Sequence, residues 1–193
     1  MSSPTPERGD AARNRRLLLD AAALLVAERG VDAVTMDAVA AAAGVGKGTV
    51  FRRFGSRAGL MLALLDHSEQ EFQSAFISGP PPLGPGADPV ERLVAFGRAR
   101  LDMIAIHGDI QRAAEATGTT RYATPPYLVM VTHISNLLRE AGHPELVRPR
   151  ADALLGMLAA ELVLHQLRVL RIPLAALADN WESMVRAVCA PHS

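Results

Sequence analysis

Residues 35–60 read T-M-D-A-V-A-A-A-A-G-V-G-K-G-T-V-F-R-R-F-G-S-R-A-G-L. Thr35 is suited to cap a helix, because its hydroxyl oxygen accepts from a backbone N–H one turn on. Asp37 then falls near the positive end of the helix dipole. Ala38 stands where a reciprocal capping box needs Glu or Gln. Val39, Ala40, Ala42 and Ala43 make a short helix of small side chains that a second helix can approach closely. Gly44 fits the left-handed position that ends it. Val45 is the apolar residue of a tight turn, and Gly46 occupies the next N-cap. A second short helix is expected from Lys47 to Phe54, and Ser56 caps the one after it. Helix, glycine turn and short basic helix together are the pattern of a helix-turn-helix.

The second helix is the informative one. Val50 and Phe54 stand four residues apart and face inward together, which leaves Lys47, Thr49, Arg52 and Arg53 on a basic outer face. A recognition helix puts its first residues into the major groove. Lys and Arg suit guanine O6 and N7 there, and Thr meets a hydrogen-bonding edge or a thymine methyl.

G-V-G-K-G-T-V-F-R-R-F-G-S-R-A-G-L, residues 44–60, resembles the signature of the TetR family of bacterial transcriptional regulators, G-V-S-K-G-T-L-Y-x-H-F-x-S-K-E-x-L. The resemblance covers the first third of the chain; the rest matches only in length and helical character. Here Gly46 replaces Ser and Phe51 replaces Tyr, which removes two hydroxyls suited to phosphate. Arg53 replaces His, and Gly59 replaces an acid. The resemblance implies an all-α homodimer with a three-helix DNA-binding head, and a body that binds a small-molecule effector and pairs the two chains. It implies a cytoplasmic repressor on a palindromic double-stranded DNA operator, with activation as the alternative. The residues assigned to DNA are Thr35, Lys47, Gly48, Thr49, Phe51, Arg52, Arg53 and Arg57. A competing likeness, of Gly44–Thr49 to the phosphate-binding loop of nucleotide kinases, lacks the leading glycine at position 41 and has Gly48 where Ser or Thr follows the lysine. Such a loop must also follow a strand, and residues 36–43 read as helix.

The chain has 193 residues, 49% of them hydrophobic but only 4% aromatic, so its core is built from Ala, Leu, Val and Met. Sustained strand alternation is missing, and an all-α fold follows. The longest apolar run, residues 151–170, is interrupted by Asp152, Glu161, His165 and Arg168 and does not suit a membrane span. The start of the chain lacks a secretory hydrophobic region. A lone cysteine, Cys189, excludes an intrachain disulfide. Net charge is zero, yet residues 1–60 hold nine Lys/Arg against six Asp/Glu, whereas residues 61–193 hold eleven against fourteen. The basic excess lies with the recognition helix.

Taken in order, residues 1–9 are expected as a flexible arm, 10–60 as the DNA-binding head and 61–193 as the body. A first helix spans 10–29, with Leu17, Ala21, Leu24, Leu18, Ala22 and Leu25 facing inward. Arg13, Arg15 and Arg16 near its start fit either a phosphate contact or solvent. A long helix from Ser56 to Phe76 links head to body, and the Gly- and Pro-rich stretch 79–88 is a loop. Body helices are expected at 88–107, 109–118, 124–142, 148–170 and 173–190, making six with the linking helix.

The last two of these read as the pairing surface. The helix at 148–170 is apolar over most of its circumference, which demands cover on several sides. Leu154, Leu158, Leu162, His165, Leu177, Trp181, Met184 and Val188 are assigned to a two-fold seam. Glu161 and His165, one turn apart, fit a pair at that seam, a pocket wall or a solvated stripe. The effector pocket is assigned to Phe72, Phe96, Met103, His107, Glu115, Tyr122, Tyr127, Met130 and His133, apolar walls with a few polar handles that suit an apolar or aromatic molecule. The six histidines lack zinc spacing, and there is no local signature of a catalytic nucleophile. Neither an enzymatic role, a metal nor a cofactor is expected.

Overall fold

The computed structural model describes residues 6–114 and 122–190. Among them every regular element is helical: α1 (Pro6–Arg29), α2 (Met36–Ala42), α3 (Lys47–Phe54), α4 (Arg57–Ser78), α5 (Pro89–Ala114), α6 (Pro125–Glu140), α7 (Val147–Met157), α8 (Ala160–Arg168) and α9 (Leu174–Val188), with a short 3₁₀ turn at Val31–Ala33. The chain forms two compact units, Met1–Ser68 and Glu69–Ser193, so that α4 contributes to both.

In the first unit the local chemistry acts as its residue types dictate. The Ala38 backbone N–H donates to the Thr35 hydroxyl at 3.0 Å, and that of Gly59 donates to the Ser56 hydroxyl at 3.1 Å. Gly44 has φ of 66°, a left-handed angle that a side chain disfavours. It lets the Val45 N–H reach back to the Ala40 carbonyl at 3.0 Å, closing α2. The buried face of α1 is Leu18, Leu19, Ala21, Ala22, Leu25 and Val26, a run at i, i+1, i+3, i+4, i+7 and i+8. Leu17 and Leu24, assigned inward from sequence, are 58% and 63% exposed. Leu19 and Val26 extend the Leu18, Ala22 and Leu25 stripe, which takes the core together with Ala21. α1 also starts at Pro6, so residues 6–9 of the expected arm are helical; residues 1–5 lie outside the described residues.

In the second unit α5 is the central helix, packed by α6, α8 and α9, while α7 rests on α6 and α9. Close approach to α5 comes from missing side chains. A Cβ on Gly97 would fall inside the Trp181 indole of α9, and one on Gly108 would meet Leu164 of α8 at 2.9 Å. Trp181 is 1% exposed, and its Nε1 donates to the Leu93 and Val94 carbonyls at 3.0 and 3.2 Å. Polar clamps hold the outer edges. Arg98 reaches Glu182 at 2.8 Å, and Arg186 joins Glu182 and Glu91 at 2.8 and 2.9 Å. Arg168 grips Asp109 with two bonds of 2.6 and 2.7 Å. Asp109 was expected to cap a separate short helix; instead α5 runs through it to Ala114.

The helix expected at 148–170 is broken. α7 buries Val147, Ala151, Leu154 and Leu155, with Leu158 following; α8 buries Ala160, Val163 and Leu164. The step from 158 to 160 violates the helical period, so one continuous helix cannot bury both sets. Extended backbone at Ala159 (ψ 129°) re-phases the chain. Apolarity all round the segment therefore reflects two helices with different inward faces. The covering that sequence reasoning sought from a second chain comes largely from within the protomer: Leu154, Leu158, Leu177 and Trp181 are core residues, and their assignment to the seam is corrected. Val188 packs partly buried against the same core. Leu162 and Met184, at 41% and 43% exposure, and His165 do face outward.

Candidate nucleic-acid interface and effector core

α3 presents Lys47, Gly48, Phe51, Arg52 and Arg53 on its exposed side and Thr49 half-buried, while Val50 anchors it in the head. An apolar anchor on one face and basic residues on the other is the geometry a groove-reading helix needs. The cations differ in what already holds them. Lys47 Nζ donates to Asp37 of α2 at 2.8 Å and sits 5.8 Å from the Phe51 ring centre. Arg52 leans on the Thr49 hydroxyl at 3.5 Å. Arg57 donates to the carbonyls of Val34 at 2.7 Å and Val31 at 3.0 Å, and so ties the start of α4 to the turn before α2. Thr35 spends one hydroxyl lone pair on its cap and keeps its proton for an outside acceptor. Arg15 lies over the Phe54 ring at 5.9 Å, and His67 of α4 meets Asp20 of α1 at 2.9 Å. These bonds make the head a braced platform. The structural duty of Arg57 and the Asp37 partner of Lys47 were not foreseen, because neither 10- nor 23-residue pairings leave a local pattern.

The residues assigned to the effector pocket fall into separate groups. Phe72, Phe96 and His133 do come together, with Phe76 between them. Centroids lie 5.1 Å apart for Phe72 and Phe96, 4.4 Å for Phe76 and His133, and 5.5 Å for Phe96 and His133. Burial and the Arg92 guanidinium push the His133 imidazole down to about 4. Its Nε2 is buried and has no hydrogen-bond partner among the described residues. Met103 and His107 are buried along α5 beside Arg100, whose guanidinium bonds Glu69 at 2.7 Å. Burial lowers the His107 pKa, and Glu69 opposes the shift. Tyr127 bonds Asp152 at 2.5 Å and stacks edge-on with the exposed Tyr122; burial and Asp152 raise its pKa. Met130 is half-buried. Glu115 lies outside the described residues. The buried Arg100–Glu69 pair was missed, since no spacing rule links residues on different helices. The kinase-like likeness at Gly44–Thr49 loses its required context, because a helix, α2, precedes the loop.

The platform and the glycine turn define a helix-turn-helix protein. Residues 18–64 match the family model described as bacterial regulatory proteins, tetR family. The chain is 38% identical over 94 residues to the HTH-type transcriptional repressor LfrR of Mycolicibacterium smegmatis, a match spanning 49% of each chain, so about half the relative's length is covered. A TetR-family regulator from Rhodococcus sp. shares the fold with a TM-score of 0.61 at 18% identity, over 93% of this chain and 100% of that one. AibR, solved with isovaleryl coenzyme A and operator DNA, gives 0.54 at 22% identity, with the same two coverages. The tetR-family match is thus confined to the head, residues 18–64, and the chain shares its fold with solved TetR-family regulators. Among the described residues no helix is long and apolar enough to cross a membrane.

Proposed function

We propose that this protein is a cytoplasmic, homodimeric repressor that binds a palindromic operator through α3 and leaves it when the body takes up a small molecule. The observation that carries the reading is α3 itself, anchored by Val50 and led outward by Lys47, Thr49 and Arg52. The repressor sense leans on LfrR, and operator plus acyl-thioester binding in AibR is a precedent for the two-ligand scheme. Selecting bound sequences from random duplex DNA at several salt concentrations tests it. An enriched palindrome with steep salt dependence supports it, and no enrichment at any salt refutes it.

The contacts divide into two roles. Lys47→Ala should cost operator affinity about 1–3 kcal/mol and relax preference at one base pair. Equal loss on every sequence would contradict base reading by Lys47. Arg57→Ala should weaken all sequences alike, and because Arg57 also bonds two carbonyls, it should lower the melting temperature of the head too.

Pairing belongs to the outward residues of α8 and α9. Leu162 and Met184 are exposed in the protomer, and Leu162 and His165 line an open groove with Glu161, Arg168 and Val169. Leu162→Asp or Met184→Asp should leave the protomer folded but monomeric and unable to hold two half-sites, which lie about 34–36 Å apart. Sedimentation that finds intact dimers for both would remove these faces from the seam. For release, the aromatic group of Phe72, Phe76, Phe96 and His133 is the proposed effector contact, and α4 carries both Phe72 and Arg57. An inducer must then bind the operator complex less tightly than free protein, by the factor it weakens DNA binding.

A further inference from the structure

Asp37 is the single acid between residues 33 and 65, and Lys47 is the single lysine of the whole chain. The fold puts them together, 2.8 Å apart, one on α2 and the other at the first position of α3. Both are more than half exposed, so the pair contributes little to folding. A carboxylate on a surface that must meet phosphates is repelled by them, which makes its placement a cost unless it acts on binding.

A free lysine is a hydrated point charge on a flexible stem and is drawn to any phosphate. This one is not free. Asp37 takes one of its three N–H donors, and the Phe51 ring centre lies 5.8 Å from the ammonium. Two donors remain for DNA, on an ammonium already drawn toward Asp37. The neutralised pair gains little from phosphates at large but keeps a directed donor for one base edge.

We propose that Asp37 is a specificity-determining residue. It holds Lys47 out of non-specific phosphate contact and aims it at a base acceptor. The proposal rests on α3 being the DNA-reading helix. Arg57, whose guanidinium has donors beyond its two carbonyl bonds, supplies the sequence-independent attraction that Asp37 denies to Lys47.

The test compares a duplex carrying the selected palindrome with a scrambled duplex of equal length and composition. Asp37→Asn should raise affinity for the scrambled duplex about 3–10-fold at ~0.1 M salt and steepen its salt slope by about 0.9, as one more phosphate is neutralised. Affinity for the palindrome should change less, so the specificity ratio falls. Asp37→Glu keeps the charge and should keep most of the ratio. In a Lys47→Ala background the effect of Asp37→Asn on the ratio should vanish, because the effect runs through the lysine. An unchanged ratio, or the same change with Lys47 absent, would mean that Asp37 is only a diffuse repulsive charge and would overturn the proposal. Wild-type protein that binds neither duplex would instead overturn the DNA-reading role of α3. Melting temperatures equal to wild type confirm that binding, not folding, is being read.

Discussion

Trp181→Ala is expected to lower the stability of the body by about 3–5 kcal/mol, as large-to-small changes at fully buried aromatic positions do. The indole lies in the slot left by Gly97 and bridges α9 to two carbonyls of α5. Removing it leaves a void between the central helix and the last one, and neither can close on the other without unseating the flanking Arg98–Glu182 and Arg186–Glu91 clamps. Gly97→Ala attacks the same contact from the other side: its Cβ would occupy space held by the ring, an overpacking that costs about 1–3 kcal/mol. Combining the two should cost less than the sum, because the added methyl fills part of the void. Urea unfolding measures all three. The loss should also be independent of protein concentration. A loss that shrinks as concentration rises would instead place Trp181 in the seam between subunits.

That distinction marks where sequence reasoning stopped. The stripe Leu174, Leu177, Ala178, Trp181, Met184, Val185 and Val188 on α9 is legible at helical spacing. What it packs on is not, because a stripe has the same period whether its partner is the same chain or another. The missing Cβ at Gly97 settles the matter for Trp181, and a glycine inside a helical run reads in sequence only as a weak spot. The head was more legible because its determinants are local: the Thr35 cap, the Gly44 turn and the Ser56 cap each act within five residues. The break between α7 and α8 lies between these cases. The two-residue step from Leu158 to Ala160 shows only in what is buried, and in the sequence alone the segment looks like a helix apolar on every side.

The candidate sites follow the same rule. Arg52 was legible because helical geometry alone sends it outward opposite Val50. The duties of Lys47 and Arg57 were only half legible, since each is shared with a residue brought in by the fold, Asp37 in one case and the Val31 and Val34 carbonyls in the other. Arg57 stands where the family signature has lysine. A guanidinium can spend two donors on carbonyls and still present others, which a single ammonium on a short reach does less well. The brace that positions α4 and any phosphate contact are therefore carried by one side chain.

Acidification from pH 7 toward pH 4 is expected to destabilise the body through His133 by at most about 3 kcal/mol, and by less to the extent that solvent screens its half-buried ring. Its ring packs against Phe76 and Phe96 with Nε2 buried, and burial, reinforced by Arg92, lowers its pKa from 6.5 to about 4. The unfolded chain takes up a proton as pH falls through about 6.5, whereas the folded chain refuses it until about 4. Stability is thus full above 6.5, declines across that window by about 1.4 kcal/mol per pH unit, and gains no further dependence from this group below it. His107, also lowered by burial, acts in the same direction. Glu182, held down by hydrogen bonds from Arg98 and Arg186, contributes stability that is lost only below its ordinary 4.5, so it leaves the range from pH 6.5 to 5 to the histidines. His133→Phe supplies a ring of similar shape with no proton to refuse, and it abandons no hydrogen bond at Nε2. Urea midpoints at pH 7, 6 and 5 should therefore fall steeply for wild type and less steeply for His133→Phe, the remainder coming from His107. If the two proteins lose stability in parallel, the imidazole is being protonated in the folded state, and the aromatic group is open enough to admit water. If the variant loses less than wild type, the group is dry, and an effector that enters it must displace ring contacts instead of solvent. A neutral or aromatic molecule can make that exchange, because it replaces one apolar surface with another. A charged one would need a counter-charge in the protein, for which Arg92 beside His133 is a candidate and an acid on the effector the matching group.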